Sequence, residues 1–182
     1  HVVISHGHPD HISNLITDGA PTFKHAEIII SRPEYEFWSG NAAIPDFRGP
    51  TRQMFQEIVV PLADRCRFIE PDASIIEGLT ALNAFGHSAG HMAFHVESDG
   101  NELMILSDTI ANYAVSLANL EWQFSMDDNP EMAVESRKRI VGMAAASKAP
   151  IIAFHMPFPS VGYIEQSGNS YRWTPATYQL NL

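Results

Sequence analysis

The sequence predicts a layered α/β fold whose sheets are mixed or largely antiparallel. Three observations carry that prediction. Short apolar or β-branched runs alternate with helical stretches along the chain. Several runs are joined by tight polar turns, the mark of hairpins, with few regular strand–helix–strand units. Neither a GxGxxG sequence nor a P-loop is present, which argues against a doubly wound nucleotide-binding fold.

Taken in order, residues 2–5 read as a buried strand, and Pro9 then breaks regular structure. Residues 12–17 read as a short helix stopped by Asp18-Gly19-Ala20-Pro21. Residues 26–31 are an apolar, β-branched strand, and Arg32-Pro33 opens a helix with proline in its first turn. Residues 52–62 form a second helical stretch. Residues 67–69, 73–76 and 79–84 are short strands divided by the Pro71-Asp72 and Glu77-Gly78 turns. Residues 91–97 and 102–106 flank Ser98-Asp99-Gly100-Asn101, a strong hairpin signal. Residues 129–146 are the clearest helix, with Asp128 or Asn129 to cap it and Pro130 in the first position. Residues 151–154 are a buried strand, and 171–173 a last one.

Bulk properties narrow the function. At 182 residues the chain fits a single domain, 1–182, or most of one. Its 21 acidic and 11 basic residues give a net charge of -10, which repels a phosphate backbone and argues against nucleic acid as the main partner. No apolar run is long enough to span a bilayer, so a soluble protein is expected, with cytoplasm and periplasm or secretion both open. The chain opens inside a strand, so upstream residues are expected. The single cysteine, Cys66, excludes an intrachain disulfide and reads as a small packed residue.

The chemistry concentrates in His6-Gly7-His8-Pro9-Asp10-His11, three imidazoles and a carboxylate within six residues. These are the ligand types of Zn²⁺ and similar divalent ions. Further candidates stand at the ends of apolar strands, where a rigid scaffold holds a site. Phe85-Gly86-His87-Ser88-Ala89-Gly90-His91 is a glycine-bracketed turn with two histidines, Leu103 to Ser107 delivers Asp108, and Ile151 to Phe154 delivers His155.

His6-x-His8-x-Asp10-His11, followed by His91, Asp108 and His155, resembles the metallo-β-lactamase superfamily in its dinuclear hydrolase branch. The resemblance covers residues 1 to about 160. It implies an αββα sandwich, here lacking its N-terminal strands, with the site at one edge between two sheets. It also implies two divalent ions, zinc first, with Mn, Fe or Co as alternatives. His6, His8 and His91 would hold one ion, Asp10, His11 and His155 the other, and Asp108 would bridge them. Asp10 and Asp108 would be the catalytic carboxylates. His87 would lie outside the ligand set, in support of it. The C-terminal stretch from His155 to Tyr163, with Tyr171-Arg172-Trp173, looks like methyl-parathion-hydrolase-like and quorum-quenching lactonase-like proteins. Two departures stand out: Asn112 where the first group tends to carry histidine, and Ala111 where acyl-homoserine lactonases carry tyrosine.

The implied activity is hydrolysis of an ester, lactone or phosphotriester by water activated between two ions. The alternatives are β-lactam or thioester hydrolysis, as in glyoxalase II-like enzymes, and below them a non-catalytic metal-binding scaffold. The substrate is expected to be a small molecule with an apolar part. Trp38, Trp122 and Phe158 are candidate pocket walls, with Phe37, Phe47 and Phe124 behind them, and Phe158 foremost because it follows His155 so closely. Residues 35–55 are expected to cover the site or to make a homodimer contact.

Overall fold

The computed structural model describes residues 1–176; residues 177–182 of the expected domain lie outside them. The chain runs β1 (Val2–Val3), α1 (Pro9–Ile12), β2 (Ile16–Thr17), β3 (Ala20–Pro21), β4 (Ile28–Ser31), α2 (Arg32–Ser39), α3 (Gly49–Ile58) and β5 (Cys66–Ile69). It continues through β6 (Ser74–Ile76), β7 (Leu79–Asn83), β8 (Met92–Ser98), β9 (Asn101–Ser107), α4 (Val115–Ala118), α5 (Pro130–Ser147), β10 (Ile151–Ala153), β11 (Val161–Ser167) and β12 (Ser170–Pro175).

Two sheets stack with helices outside each, the αββα order expected. The smaller sheet is parallel, in order β1-β4-β5. The larger has seven strands in order β12-β11-β10-β9-β8-β7-β6, antiparallel throughout except where β10 runs beside β9. Side-chain alternation along the strands builds the layers. In β4, Ile28 and Ile30 face the helical side, packing with Ile12, Trp38 and Phe55, while Ile29 faces the sheet interface with Met92 and Phe94. In β9, Met104 and Leu106 face α5 through Ile140 and Val141, while Ile105 turns inward to the interface. Among the described residues no helix is long and apolar enough to cross a membrane.

Local sequence explains the element ends. Ser31 caps α2 by accepting from the Glu34 N–H at 3.2 Å, and Asn129 caps α5 by accepting from the Met132 N–H at 3.1 Å. Asp99 and Gly100 both take positive φ, 51° and 74°, the mirror-image turn that suits a two-residue hairpin. Cys66 donates to the Leu62 carbonyl at 3.3 Å, and burial raises its thiol pKa, so it is the packed residue expected.

Two expectations fail. The helix expected over 12–17 lies earlier, because Pro9 starts one: the N–H that proline lacks is unpaired at a first helical position anyway. Ile16 and Thr17 instead pair with Pro21 and Ala20 around a turn at Asp18 and Gly19. The whole of β11 was missed, since Gly162, Glu165, Gln166 and Ser167 dilute any alternation. It pairs with β12 through six residue pairs, and Gly162 is needed there because a Cβ would lie 2.2 Å from Trp173 Nε1.

Candidate metal centre

The polar groups converge where strands end. His6 and His8 lie beyond β1, Asp10 and His11 in α1, His87 in the β7–β8 turn, Asp108 just past β9 and His155 just past β10. Ser107 and His155 hold positive φ, 48° and 57°, so the backbone is strained where it presents Asp108 and His155.

Two adjoining clusters result. His6 Nε2 lies 3.0 Å from His8 Nδ1, which lies 3.1 Å from His87 Nε2. Around them, Asp108 Oδ1 is 3.3 Å from His11 Nε2, and Asp108 Oδ2 is 3.2 Å from His155 Nε2 and 3.5 Å from His87 Nε2. Asp10 Oδ2 stands 3.6 Å from His11 Nε2 and 3.9 Å from His155 Nε2. The ligand atoms of His6, His8 and His87 fall within 4.8 Å of one another, as do those of Asp10, Asp108 and His155, and those of His6, His11 and Asp108. Asp108 therefore sits between the groups.

The positions of His87 and His91 exchange the places expected of them. His91 Nδ1 donates to the Ala84 carbonyl at 2.9 Å, and its Nε2 accepts from the Asp108 N–H at 3.2 Å. Both ring nitrogens are spent on backbone, and no lone pair remains for a metal. His87 Nδ1 instead faces the Asp127 carboxylate at 2.9 Å. A carboxylate only accepts, so Nδ1 carries the proton and Nε2 presents a lone pair to the cluster, the usual support of a metal-binding imidazole. Asp127 is held in turn by Arg137 Nη2 at 3.3 Å, while Arg137 Nη1 donates to the Leu120 and Trp122 carbonyls. Neither Asp127 nor Arg137 was expected.

Glu34 was also missed. It is fully buried, and no cation pairs with it among the described residues. Its oxygens accept from the Gly7 N–H (2.6 Å), the Gly90 N–H (2.6 Å), Trp38 Nε1 (2.7 Å) and Ser88 Oγ (2.5 Å). It thereby ties the first histidine loop to the second. Only glycine fits at position 90, where a Cβ would lie 2.3 Å from both the Glu34 N and Ser31 Oγ.

Burial governs the electrostatics. It pushes the His6 ring well below its ordinary pKa, helped by His91, His8 and His11. Burial likewise lowers His8 to about 2, with His87 and Arg48 adding, and His91 to about 3, with His87 adding. All three are neutral imidazoles at neutral pH. Burial acts to raise the Asp108 carboxyl, but His11 first, then His87 and His91, outweigh it and bring it to about 2. Neutral imidazoles around an ionised carboxylate are a donor set for divalent metal. His8 Nε2, His11 Nε2 and Asp108 Oδ1 are buried without a hydrogen-bond partner. Orphaned buried polar atoms are costly, and a cation at the latter two would satisfy them, so the residues fit the metals expected.

A cavity of about 420 Å³ opens beside the cluster, with Ala111, Phe124 and Met126 as its apolar wall. Of the expected walls only Phe124 lines it. Trp38 is fully buried behind the site, its ring 5.8 Å from that of His8. Trp122 is 62% exposed and Phe158 90% exposed. Phe37 lines a separate cleft, and Phe47 is exposed beside Arg48. Asn112 faces away from catalysis: its side-chain oxygen accepts from the Ala114 and Val115 N–H groups at the start of α4.

No family model and no curated protein matches the sequence. Solved structures do match. AidC, a dizinc quorum-quenching lactonase, aligns over 97% of this chain with a TM-score of 0.90 and 26% identity. AbOPH, a hydrolase in the β-lactamase superfamily, aligns over 97% with a TM-score of 0.89 and 24% identity. A probable metal-dependent hydrolase from Staphylococcus aureus aligns over 97% with a TM-score of 0.77 and 18% identity. The chain spans 64% of the length of the first two and 62% of the third.

Proposed function

We propose that this chain, which has the metallo-β-lactamase fold, carries the two-metal centre of an enzyme that hydrolyses esters or lactones, with phosphotriesters as a related substrate class. The carrying observation is the convergence of seven histidine and aspartate side chains around buried atoms without a hydrogen-bond partner among the described residues. The similarity to a dizinc lactonase at 26% identity supports the same reading and makes zinc the first choice.

His6, His8 and His87 would hold one ion, Asp10, His11 and His155 the other, and Asp108 both. When bound, such a pair polarises the scissile carbonyl or phosphoryl group and makes water nucleophilic near neutral pH. The chain's own residues do the rest. Asp127 fixes the His87 tautomer, and His91 fixes the backbone that carries Asp108. Asp10, its side chain half exposed and lining the cavity, is placed to take the proton of the attacking water and return it to the leaving oxygen. Water adds to the electrophilic centre as the bond to that oxygen breaks. Ala111, Phe124 and Met126 seat the apolar part of the substrate and exclude bulk water.

The test is a hydrolysis screen across lactones, aryl esters, phosphotriesters, thioesters and β-lactams, run with metal analysis. The expected result is about two equivalents of metal and turnover of lactones or esters. Asp108→Ala should lower turnover more than the roughly 10–100-fold typical of residues that merely support a ligand. Full activity in that variant, or no metal after reconstitution with zinc or manganese, would sink the proposal.

A further inference from the structure

We infer that Arg48 sets substrate specificity: a free guanidinium nitrogen takes an acceptor oxygen of the substrate, distinct from the group being cleaved. This deepens the hydrolase reading and rests on it. Arg48 is the one cationic side chain among the described residues lining the cavity. The other polar side chains there belong to the metal cluster, except Thr51. Recognition of a non-reacting polar atom therefore falls to Arg48 or Thr51, and Arg48 is the stronger donor.

The guanidinium is only 3% exposed and is held on several sides. Nε donates to Asp128 Oδ1 at 2.8 Å, Nη2 donates to the Met126 carbonyl, and the Phe47 ring lies 5.1 Å away. Nη1 has no hydrogen-bond partner among the described residues. A guanidinium is donor-only and always charged, so an acceptor brought by a ligand completes it. Asp128 already balances its charge, and Asp10 and Asp108 face the same cavity. The apolar wall beside it calls for hydrocarbon. The substrate class is thus an ester, lactone or phosphotriester bearing a second acceptor oxygen next to an apolar chain.

The test measures binding, which needs no turnover. Affinities of the zinc-loaded protein are determined by calorimetry for two poorly hydrolysed probes of equal chain length, a 3-acylamino-γ-butyrolactam and a 3-alkyl-γ-butyrolactam. The protein should prefer the acylamino probe by roughly ten- to a hundredfold, the range of a charged hydrogen bond. Arg48→Met, which keeps an apolar stem, should abolish the preference while metal content stays unchanged. The same preference in Arg48→Met, or none in the unmodified protein, overturns the inference. Should Arg48→Met not fold, Arg48→Lys decides: it lacks the fork and should lose at least about threefold of the preference, and an unchanged preference overturns the inference. A protein that binds with this preference yet hydrolyses none of the screened classes refutes the hydrolase reading and leaves the Arg48 site standing.

Discussion

Glu34 and Asp108 are both buried carboxylates within the same fold, and they are treated in opposite ways. Glu34 is surrounded by four donors and no cation, and every one of those bonds is short. Asp108 is surrounded by imidazoles, yet its Oδ1 and the facing His11 Nε2 are buried without a hydrogen-bond partner. A satisfied buried group is scaffold, and an unsatisfied one is placed for something that arrives later. The difference separates the residues that hold the histidine loops together from the residues those loops exist to present.

The sharpest way to break this comparison is to remove each carboxylate in turn and measure stability without metal. Glu34→Ala leaves the Gly7 and Gly90 N–H groups unpaired, and leaves Trp38 Nε1 and Ser88 Oγ only each other, at 3.1 Å. It should cost about 3–5 kcal/mol in denaturant melts. Asp108→Ala unpairs only His155 Nε2, on a half-exposed ring that water can reach, and gives up the His11 contact that lowers the Asp108 pKa, so the metal-free protein should lose less than Glu34→Ala does. Equal losses in both variants would erase the distinction.

His87 and His91 sharpen the same contrast between two rings four residues apart. His91→Ala should destabilise the metal-free protein by about 2–3 kcal/mol, because the Ala84 carbonyl and the Asp108 N–H lose their partner. His87→Ala should leave more of that stability and instead lose one metal equivalent. Metal titration followed by melting distinguishes the two. Retention of both metals in His87→Ala would return the ligand role to His91.

Why the sequence led to His91 can be stated physically. The composition of Phe85 to His91 signals a sharp turn with two imidazoles, but which ring points inward depends on long-range partners. Asp127 stands 40 residues from His87, and the Ala84 carbonyl captures the other ring. The dense motif from His6 to His11 was legible because its ligands are neighbours in sequence. Asp108 and His155 were legible because apolar strands end at them. Glu34 looked like an ordinary first-turn acid of α2, since its acceptors' partners come from residues 27 and 56 positions away. Phe158 misled because nearness in sequence to His155 says nothing about side-chain direction once the backbone turns at positive φ.

The two regions also respond oppositely to acid, and this is the smallest effect with a determined sign. Burial raises the Glu34 pKa, so the folded protein holds that proton more tightly than the unfolded chain does, and acidification through its titration range favours folding. Burial lowers His6, lowers His8 to about 2 and lowers His91 to about 3, so these rings take up protons only on unfolding. Their contribution is complete well above pH 6.5, the ordinary histidine value, and declines as pH falls toward the folded values. Between pH 8 and 6.5 each ring should cost about 0.4 kcal/mol, roughly 1 kcal/mol for the three, with the slope steepening below. The three rings outnumber the single carboxyl. Denaturant melts of chelator-treated protein at pH 8 and 6.5 should therefore show lower stability at the acid value. Unchanged or greater stability there would mean that the rings are not held neutral and buried when metal is absent, and that the cluster forms only around its ions.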